Sequence, residues 1–292
     1  MTPSPIEIKT IQGNPMKLDG GAMFGNAPKA LWSRWVSCDE ANRIDIGANC
    51  LLIRSGDQVI LFETGPGAYL SPKMKDRFGV VSNTHVLLES LAEQGVSHEE
   101  VTHVILSHLH FDHSGGLLSA YQEGQSPRLL FPRARFVAGK ANFERSCSPR
   151  LRDRASFIPE LNTQLRESGR LDLVEAGDEL NLDGVNIRFT ESRGHTPGML
   201  ISWIEVRGTH LIFTGDLVPG SPWMNLPITM GYDRYPEALV EEKEAMLARA
   251  LDMDAWLVYP HDGQYAASRL ALNPEKKRYV PTALTPELAL TL

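Results

Sequence analysis

Hydrophobic residues along the chain fall into short runs, and their alternation with polar residues predicts β-hairpins. Residues 49–65 hold two β-rich runs joined by "SGD", and residues 199–216 hold two alternating runs around an "RG" turn. Further apolar runs, among them "HVIL", "ARFVAG", "LDLVEAG" and "GVNIRFTES", are typical of single strands. The pattern therefore indicates a protein rich in β-sheet.

Helical spacing of apolar residues recurs between these strands. Residues 82–95 show it and stop at Gly95, the residue type expected just past a helix end. Residues 156–169 are predicted to be helical, and residues 235–252 form an amphipathic pattern that starts with Pro236 near the first helical position. Strand groups that alternate with helices predict an α/β fold, in which two sheets pack together and helices cover their outer faces.

The composition is that of an ordinary folded domain. Of the 292 residues, 42% are hydrophobic and 22% are charged, with no internal repeat and no low-complexity linker. We therefore predict a single domain over residues 1–292, with residues 1–45 as an N-terminal extension or lid. The net charge is −7 and no block of lysine and arginine stands out, which argues against a nucleic-acid partner.

The N-terminal sequence and the cysteine pattern indicate in which cellular compartment the protein is expected. The start "MTPSPIEIKTIQGNPM" has no basic end followed by an apolar segment, and no stretch is long enough to span a bilayer. These features predict a cytoplasmic protein with no membrane partner. Cys38, Cys50 and Cys147 lack CxxC spacing, which argues against a disulfide framework or a thiolate zinc site. We expect all three to act as small core hydrophobes.

The segment "SHLHFDHSGG" (107–116) crowds three imidazoles and a carboxylate directly after a predicted strand. In an extended segment, alternation would place His108, His110 and Asp112 on one side and His113 on the other. Imidazole nitrogens and carboxylate oxygens bind Zn²⁺ and related ions at about 2.0–2.2 Å, so this spacing predicts a metal site.

The remaining histidines of the strands and helices have simpler interpretations. His85 and His98 are predicted to be surface residues, and His103 and His210 lie within predicted strands without an acidic or histidine neighbour. We expect none of these four to bind a metal.

Three later motifs complete a recognisable order: His195 in "RGHTPG", Asp216 in "FTGD" and His261 in "YPHD". With the run at 108–113, they resemble the metallo-β-lactamase superfamily of dinuclear metallohydrolases, from about residue 45 to 265. The resemblance implies an αββα sandwich, two mixed β-sheets flanked by helices, with the metals at one sheet edge. It also implies two ligand sets bridged by Asp216: His108, His110 and His195 for one ion, and Asp112, His113 and His261 for the other.

The implied cofactors are two divalent metal ions, zinc first, with manganese, cobalt or iron as alternatives. Metal-bound water has a pKa of about 7, so the resemblance implies that a metal-bound hydroxide attacks the carbonyl of a lactone or ester. Asp112 or Asp216 would then pass a proton to the leaving alkoxide. Glu63 in "FETG" departs from the aspartate that family members commonly carry there, and this change would alter hydrogen bonding behind the metals.

Two segments, 18–35 and 215–243, resemble the branch that contains N-acyl-homoserine lactone hydrolases, the quorum-quenching lactonases, and methyl parathion hydrolases. The implied substrate is a small molecule with an apolar portion. Four residues are candidate substrate contacts: Met23, Phe24, Trp223 and Tyr232.

Some lactonases place a catalytic tyrosine three residues after the bridging aspartate, where this chain has Pro219. That role is then vacant or belongs to Tyr232, Tyr235 or another phenol.

Other activities stay open within the superfamily, because the fold does not define the substrate. A phosphotriesterase would use the same nucleophile on phosphorus. A glyoxalase II-type thioesterase would favour a basic patch, for which "NPEKKRY" (273–279) is the short candidate. A non-catalytic ligand-binding member is a further alternative. The apolar N-terminal segment would also allow a homodimer.

Overall fold

A computed structural model describes residues 4–276 and 278–292, so residues 1–3 of the predicted extension and Lys277 of the basic segment lie outside the described residues. The described ranges contain sixteen strands: β1 (Glu7–Gln12), β2 (Met16–Asp19), β3 (Arg43–Ile46), β4 (Asn49–Ser55), β5 (Gln58–Phe62), β6 (His103–Ile105), β7 (Arg135–Gly139), β8 (Leu171–Val174), β9 (Glu179–Leu182), β10 (Val185–Ser192), β11 (Met199–Val206), β12 (Thr209–Phe213), β13 (Trp256–Val258), β14 (Ala267–Asn273), β15 (Arg278–Thr285) and β16 (Ala289–Thr291).

The same ranges contain eight α-helices: α1 (Gly20–Phe24), α2 (Lys29–Trp32), α3 (Pro72–Phe78), α4 (Val86–Glu93), α5 (Phe111–Ser114), α6 (Lys140–Cys147), α7 (Pro159–Glu167) and α8 (Pro236–Asp252). Pro236 lies in the first turn of α8, as predicted. Helix α4 begins later than the pattern indicated, because the Asn14 side chain accepts a hydrogen bond from the Val86 amide at 3.1 Å and so caps the helix there. No described helix has the length and hydrophobicity needed to cross a membrane.

The strands form two seven-stranded mixed sheets and one two-stranded sheet. The first sheet has the order β16-β1-β4-β5-β6-β7-β8, and the second has the order β15-β14-β13-β12-β11-β10-β9. The pairs β5/β6, β6/β7, β7/β8 and β12/β13 are parallel, and the other pairs within these two sheets are antiparallel. Both predicted hairpins are confirmed, as β4/β5 and β11/β12.

Alternating side chains give these strands two apolar faces. Between the sheets, Phe62 on β5 packs in the same core as Phe189 on β10 and Phe213 on β12, with the Phe62 and Phe213 rings 6.0 Å apart. The outer face of the first sheet packs on α4, α6 and α7, and that of the second packs on α8. The arrangement is helix, sheet, sheet, helix, which confirms the predicted αββα sandwich.

The N-terminal region has two parts. Strand β1 lies inside the first sheet, between β4 and β16, and belongs to the sandwich. Residues 16–46 instead form an aromatic layer with residues 221–230, and the two segments share one apolar core. The ring of Phe24 stacks between those of Trp32 and Trp223, at centroid distances of 5.6 and 4.4 Å.

Two expectations about single residues are wrong. Cys147 is exposed at the end of α6, whereas Cys50 is buried in the core as expected and Cys38 is half-buried. His85 is not a surface residue, because it precedes α4 and packs inward, where its Nε2 lies 3.1 Å from the Gly116 carbonyl oxygen.

Candidate metal centre

The seven predicted donors all follow strand ends at one edge of the sandwich. The run 108–113 follows β6, His195 follows β10, Asp216 follows β12 and His261 follows β13. Neighbouring strand ends bring these loops together, and the seven residues form three overlapping groups of ligand atoms, which we call the donor cluster. Six of the seven are buried, and Asp112 is partly exposed.

The run 108–113 is not extended throughout, which corrects the predicted alternation. The backbone is extended at His110 and then enters the single turn of α5. Ser114 closes this turn, because its amide and its hydroxyl both donate to the His110 carbonyl, at 3.0 and 2.9 Å. Asp112 and His113 therefore reach the same side of the cluster from adjacent helical positions.

The first group consists of the imidazoles of His108, His110 and His195. We call the set of Asp112, His113 and His261 the second group. Nδ1 of His110 lies 2.9 Å from Nε2 of His108 and 3.1 Å from Nε2 of His195. In the second group, Nε2 of His113 lies 3.0 Å from Nε2 of His261. The Asp112 Oδ2 atom is 3.5 Å from Nε2 of His261.

Asp216 lies between the two groups and directs one oxygen at each. Its Oδ2 is 3.2 Å from Nε2 of His195, in the first group. Its Oδ1 is 3.4 Å from Nε2 of His113 and 3.3 Å from Nε2 of His261, in the second. This is the position of a carboxylate that bridges two cations.

The donor set fits two metal ions. Ligand atoms at about 2.0–2.1 Å from a tetrahedral ion lie about 3.3 Å from one another, close to the observed separations. Nδ1 of His261 lies 3.0 Å from the Gly47 carbonyl oxygen, which can only accept, so Nδ1 is the donor of this hydrogen bond. Nε2 of His261 then presents a lone pair to the cluster. Oδ1 of Asp216, which faces the imidazoles of His113 and His261, is buried without a hydrogen-bond partner. A buried carboxylate oxygen among imidazole nitrogens is suited to bind a cation.

Two carboxylates contact the imidazoles of His113 and His195 at the ring nitrogen that does not face the donor cluster. Glu63 has a left-handed backbone (φ 66°), and its side chain accepts from the Ser107 amide at 2.6 Å and lies 3.1 Å from Nδ1 of His113. Asp233 lies 2.9 Å from Nδ1 of His195 and accepts from the Met230 amide at 2.6 Å. Such partners fix the tautomer and the direction of a metal-binding imidazole.

Charges within the cluster shift several pKa values. Burial, and then the neighbouring imidazoles, lower the pKa values of His108 and His110 well below the usual histidine value. Burial opposes protonation of His113 and His195 as well, but the Asp216 carboxylate raises the pKa values of both. Burial would raise the pKa of Asp216, yet the surrounding imidazoles hold it well below its usual range. The cluster therefore contains a carboxylate that attracts positive charge, as a metal site requires.

A cavity of about 280 Å³ opens onto the donor cluster. Met23 and Tyr232, two of the candidate substrate contacts, lie on its wall together with Met230 and Phe111. Tyr235 is 51% exposed and is not part of this wall.

Phe24 and Trp223 do not line the cavity, which corrects their prediction as direct substrate contacts. They are buried against each other in the aromatic layer, and the Trp223 indole donates to the Met23 carbonyl at 2.9 Å. Their position supports Met23 from behind. Pro219 also has a structural contact, since its carbonyl accepts a hydrogen bond from the His261 amide at 2.8 Å.

The model of the metallo-beta-lactamase superfamily matches residues 43–261, well over half of the chain. The chain belongs to the metallo-β-lactamase superfamily. A probable metal-dependent hydrolase from Staphylococcus aureus has a similar structure, with a TM-score of 0.82 and 27% sequence identity over 97% of this chain and 99% of that one. The protein is therefore a metal-dependent hydrolase of this superfamily.

Two further proteins are similar to this metallo-β-lactamase-fold hydrolase. The structure of AidC, a dizinc quorum-quenching lactonase, has the same fold, with a TM-score of 0.70 and 18% identity over 96% of this chain and 95% of AidC. Ribonuclease TTHA0252 from Thermus thermophilus is 30% identical over 124 residues, which are 42% of this chain. This match spans only 27% of the length of the ribonuclease.

Sequence reasoning missed four residues around this hydrolase site. Asp233 lies in the loop "GYDRY", and nothing in its local sequence indicates that it contacts His195. Three arginines line the cavity from separate parts of the chain: Arg77, Arg152 and Arg234. The three are far apart in sequence, so only the folded chain brings them to one wall.

Proposed function

We propose that this hydrolase opens the ester bond of a small lactone or ester, with N-acyl-homoserine lactones as the first substrates to test. The observation that carries the proposal is the position of Asp216 between two donor groups, at the base of a cavity with an apolar wall. The proposed ligands are His108, His110 and His195 for one ion, Asp112, His113 and His261 for the other, and Asp216 for both.

Zinc is the first choice for both sites, because imidazole nitrogen and carboxylate oxygen suit it, with manganese, cobalt or iron as alternatives. Two such ions, when bound, supply Lewis acidity that activates water and polarises a carbonyl group.

The chain's own residues would orient the substrate and move the proton. Asp112 is 15% exposed on the cavity wall and Asp216 is 5% exposed, so Asp112 is the better placed to deliver a proton to the leaving alkoxide. Burial, and then the charges of Asp112 and Asp19, raise the pKa of Tyr232, which keeps its hydroxyl protonated at neutral pH. We assign to Tyr232 the phenol role that Pro219 cannot fill. Met23 and Met230 would contact the acyl portion.

A phosphotriesterase is the second candidate, since the partial similarity to a ribonuclease also favours phosphorus as the reacting centre. The glyoxalase II-type alternative lacks support, because the cavity wall includes none of the described residues of the basic segment 273–279. A non-catalytic role is disfavoured because all seven donors converge.

The test is acid release in a pH-stat assay on zinc-loaded protein. We expect rapid, chelator-sensitive proton release from short-chain and long-chain N-acyl-homoserine lactones, and slower turnover of a paraoxon-like phosphotriester. Protein that carries two metals but releases no acid from any lactone would overturn the lactonase proposal. Turnover of the phosphotriester alone would establish the second candidate.

A further inference from the structure

Two arginines on the cavity wall are anchored by backbone carbonyls. Nε of Arg234 donates to the Tyr232 carbonyl at 2.8 Å, Nη2 of the same guanidinium also donates to it, and Nη1 is buried without a partner. Nη2 of Arg152 donates to the Gly231 carbonyl at 2.9 Å. Both guanidinium groups are thus held by one short stretch of backbone.

Carbonyl contacts orient these groups but leave their charge in place. Arg145 differs from these two arginines, because its Nη2 lies 2.7 Å from the buried Asp153 carboxylate. The charge of Arg145 is therefore compensated by an ion pair. Among the described residues, neither Arg152 nor Arg234 takes part in an ion pair. Burial lowers the pKa of Arg234 and the like charge of Arg152 lowers it further, whereas the carboxylates of Asp153 and Asp233 oppose this shift.

Two like charges that share one cavity wall, neither of them in an ion pair, are costly. An anionic oxygen group in the cavity would compensate these charges, because a guanidinium recognises a carboxylate through parallel hydrogen bonds. The exposed side chain of Arg77 adds a third positive charge to the same wall.

We infer that Arg234 and Arg152 form an anion subsite, and that the substrate carries a carboxylate at the end remote from the bond that is cleaved. The inference rests on the proposed function, since it names the substrate class of the same cavity. The donor cluster would receive the ester, and the arginines would receive the carboxylate. The protein would then prefer acidic esters or lactones to neutral ones of equal length.

Binding of two matched probes to the zinc-loaded protein tests this inference without turnover. Adipamate (6-amino-6-oxohexanoate) and hexanamide have the same length and differ by one terminal carboxylate. We expect calorimetry to show at least about tenfold tighter binding of adipamate, and the preference to disappear in Arg234→Gln. Arg234→Lys should restore only part of it, because lysine keeps the charge without the planar fork.

Arg133→Gln, at an exposed site outside this cavity, is the matched control and should keep the preference. Arg152→Gln serves as a second variant if Arg234→Gln fails to fold, and it should also weaken adipamate binding. Equal binding of the two probes, no measurable binding of adipamate, or a preference that persists in the folded arginine variants would overturn the inference. The last result would indicate that the carboxylate binds the metals instead.

Steady-state kinetics distinguish failure of the anion subsite from failure of the proposed function. N-adipoyl and N-hexanoyl homoserine lactone form a matched substrate pair, and we expect a lower KM for the acidic one. Equal KM values would overturn the subsite and leave the lactonase intact. If neither lactone is cleaved but adipamate binding depends on Arg234, the lactonase proposal fails and the subsite stands.

Discussion

Two buried regions meet at the cavity, the donor cluster and the aromatic layer. In the donor cluster, polar atoms face one another at about hydrogen-bond distance, and each imidazole depends on its partners for direction. In the aromatic layer, Phe24, Trp32 and Trp223 stack face to face and depend on buried area. The first region requires added positive charge to be complete, whereas the second is complete without a ligand. The donor cluster and the aromatic layer therefore depend on different interactions, and we expect mutations to affect metal binding and folding stability separately.

The largest effect is expected from Asp216→Asn. The change removes the negative charge that lies between the two donor groups, so both metal occupancy and turnover should fall, with kcat/KM reduced by more than about 100-fold. Metal analysis and steady-state kinetics on the same preparation measure the two effects together.

Asp57→Asn, in the exposed turn between β4 and β5, is the matched control and should retain both metals. Full activity with both metals retained in Asp216→Asn would refute the bridging assignment.

A smaller effect on the same region is expected from Asp233→Asn. His195 would lose the charged partner at its Nδ1, and the loss of such a partner typically lowers metal affinity by about 10- to 100-fold. Competition with a chelator should show one weakened site and one unchanged site. Equal weakening of both sites, or of neither, would contradict the assignment of His195 to the first group.

The aromatic layer should respond to Lys243→Met through stability. Lys243 is fully buried on α8, and its Nζ donates to the Trp223, Leu226 and Ile228 carbonyls at 3.1, 3.3 and 2.6 Å. The substitution leaves these carbonyls without a donor, so the free energy of unfolding should fall by about 2–4 kcal/mol in urea denaturation. Metal content should stay at the wild-type value.

The same lysine gives a pH test. Burial lowers the pKa of Lys243 to about 8 in the folded chain, below its usual value, so the unfolded chain binds more protons above this pH. Wild-type stability should therefore gain a contribution as the pH rises from about 8 towards 10, and Lys243→Met should lack it. Lys73→Met, at an exposed site, should behave as wild type. Identical pH profiles for Lys243→Met and wild type would contradict this account.

The sequence predicted the parts of this structure that follow from local patterns. The two hairpins, the helix at Pro236 and the position of the donors after strand ends could all be predicted, because hydrophobic periodicity and donor spacing are local properties. The turn at 111–114 was missed, since its closure depends on the Ser114 contacts with His110.

Features that depend on distant parts of the chain could not be predicted. Phe24 and Trp223 are 199 positions apart in the sequence, and their rings stack on each other. Neither side chain therefore lines the cavity, although the apolar composition of their segments predicted that they would contact the substrate. The same holds for Asp233 behind His195 and for the arginines of the cavity wall. These contacts arise only when the loops meet at the sheet edge.

The most direct test of the two-metal assignment is the number of ions bound by the folded chain. We would load the protein with zinc, dialyse it exhaustively against metal-free buffer and measure zinc per chain by mass spectrometry. We expect two ions per chain, both removed by a strong chelator and both restored on reloading. A chain that retains one ion or none after saturation would contradict the dinuclear site.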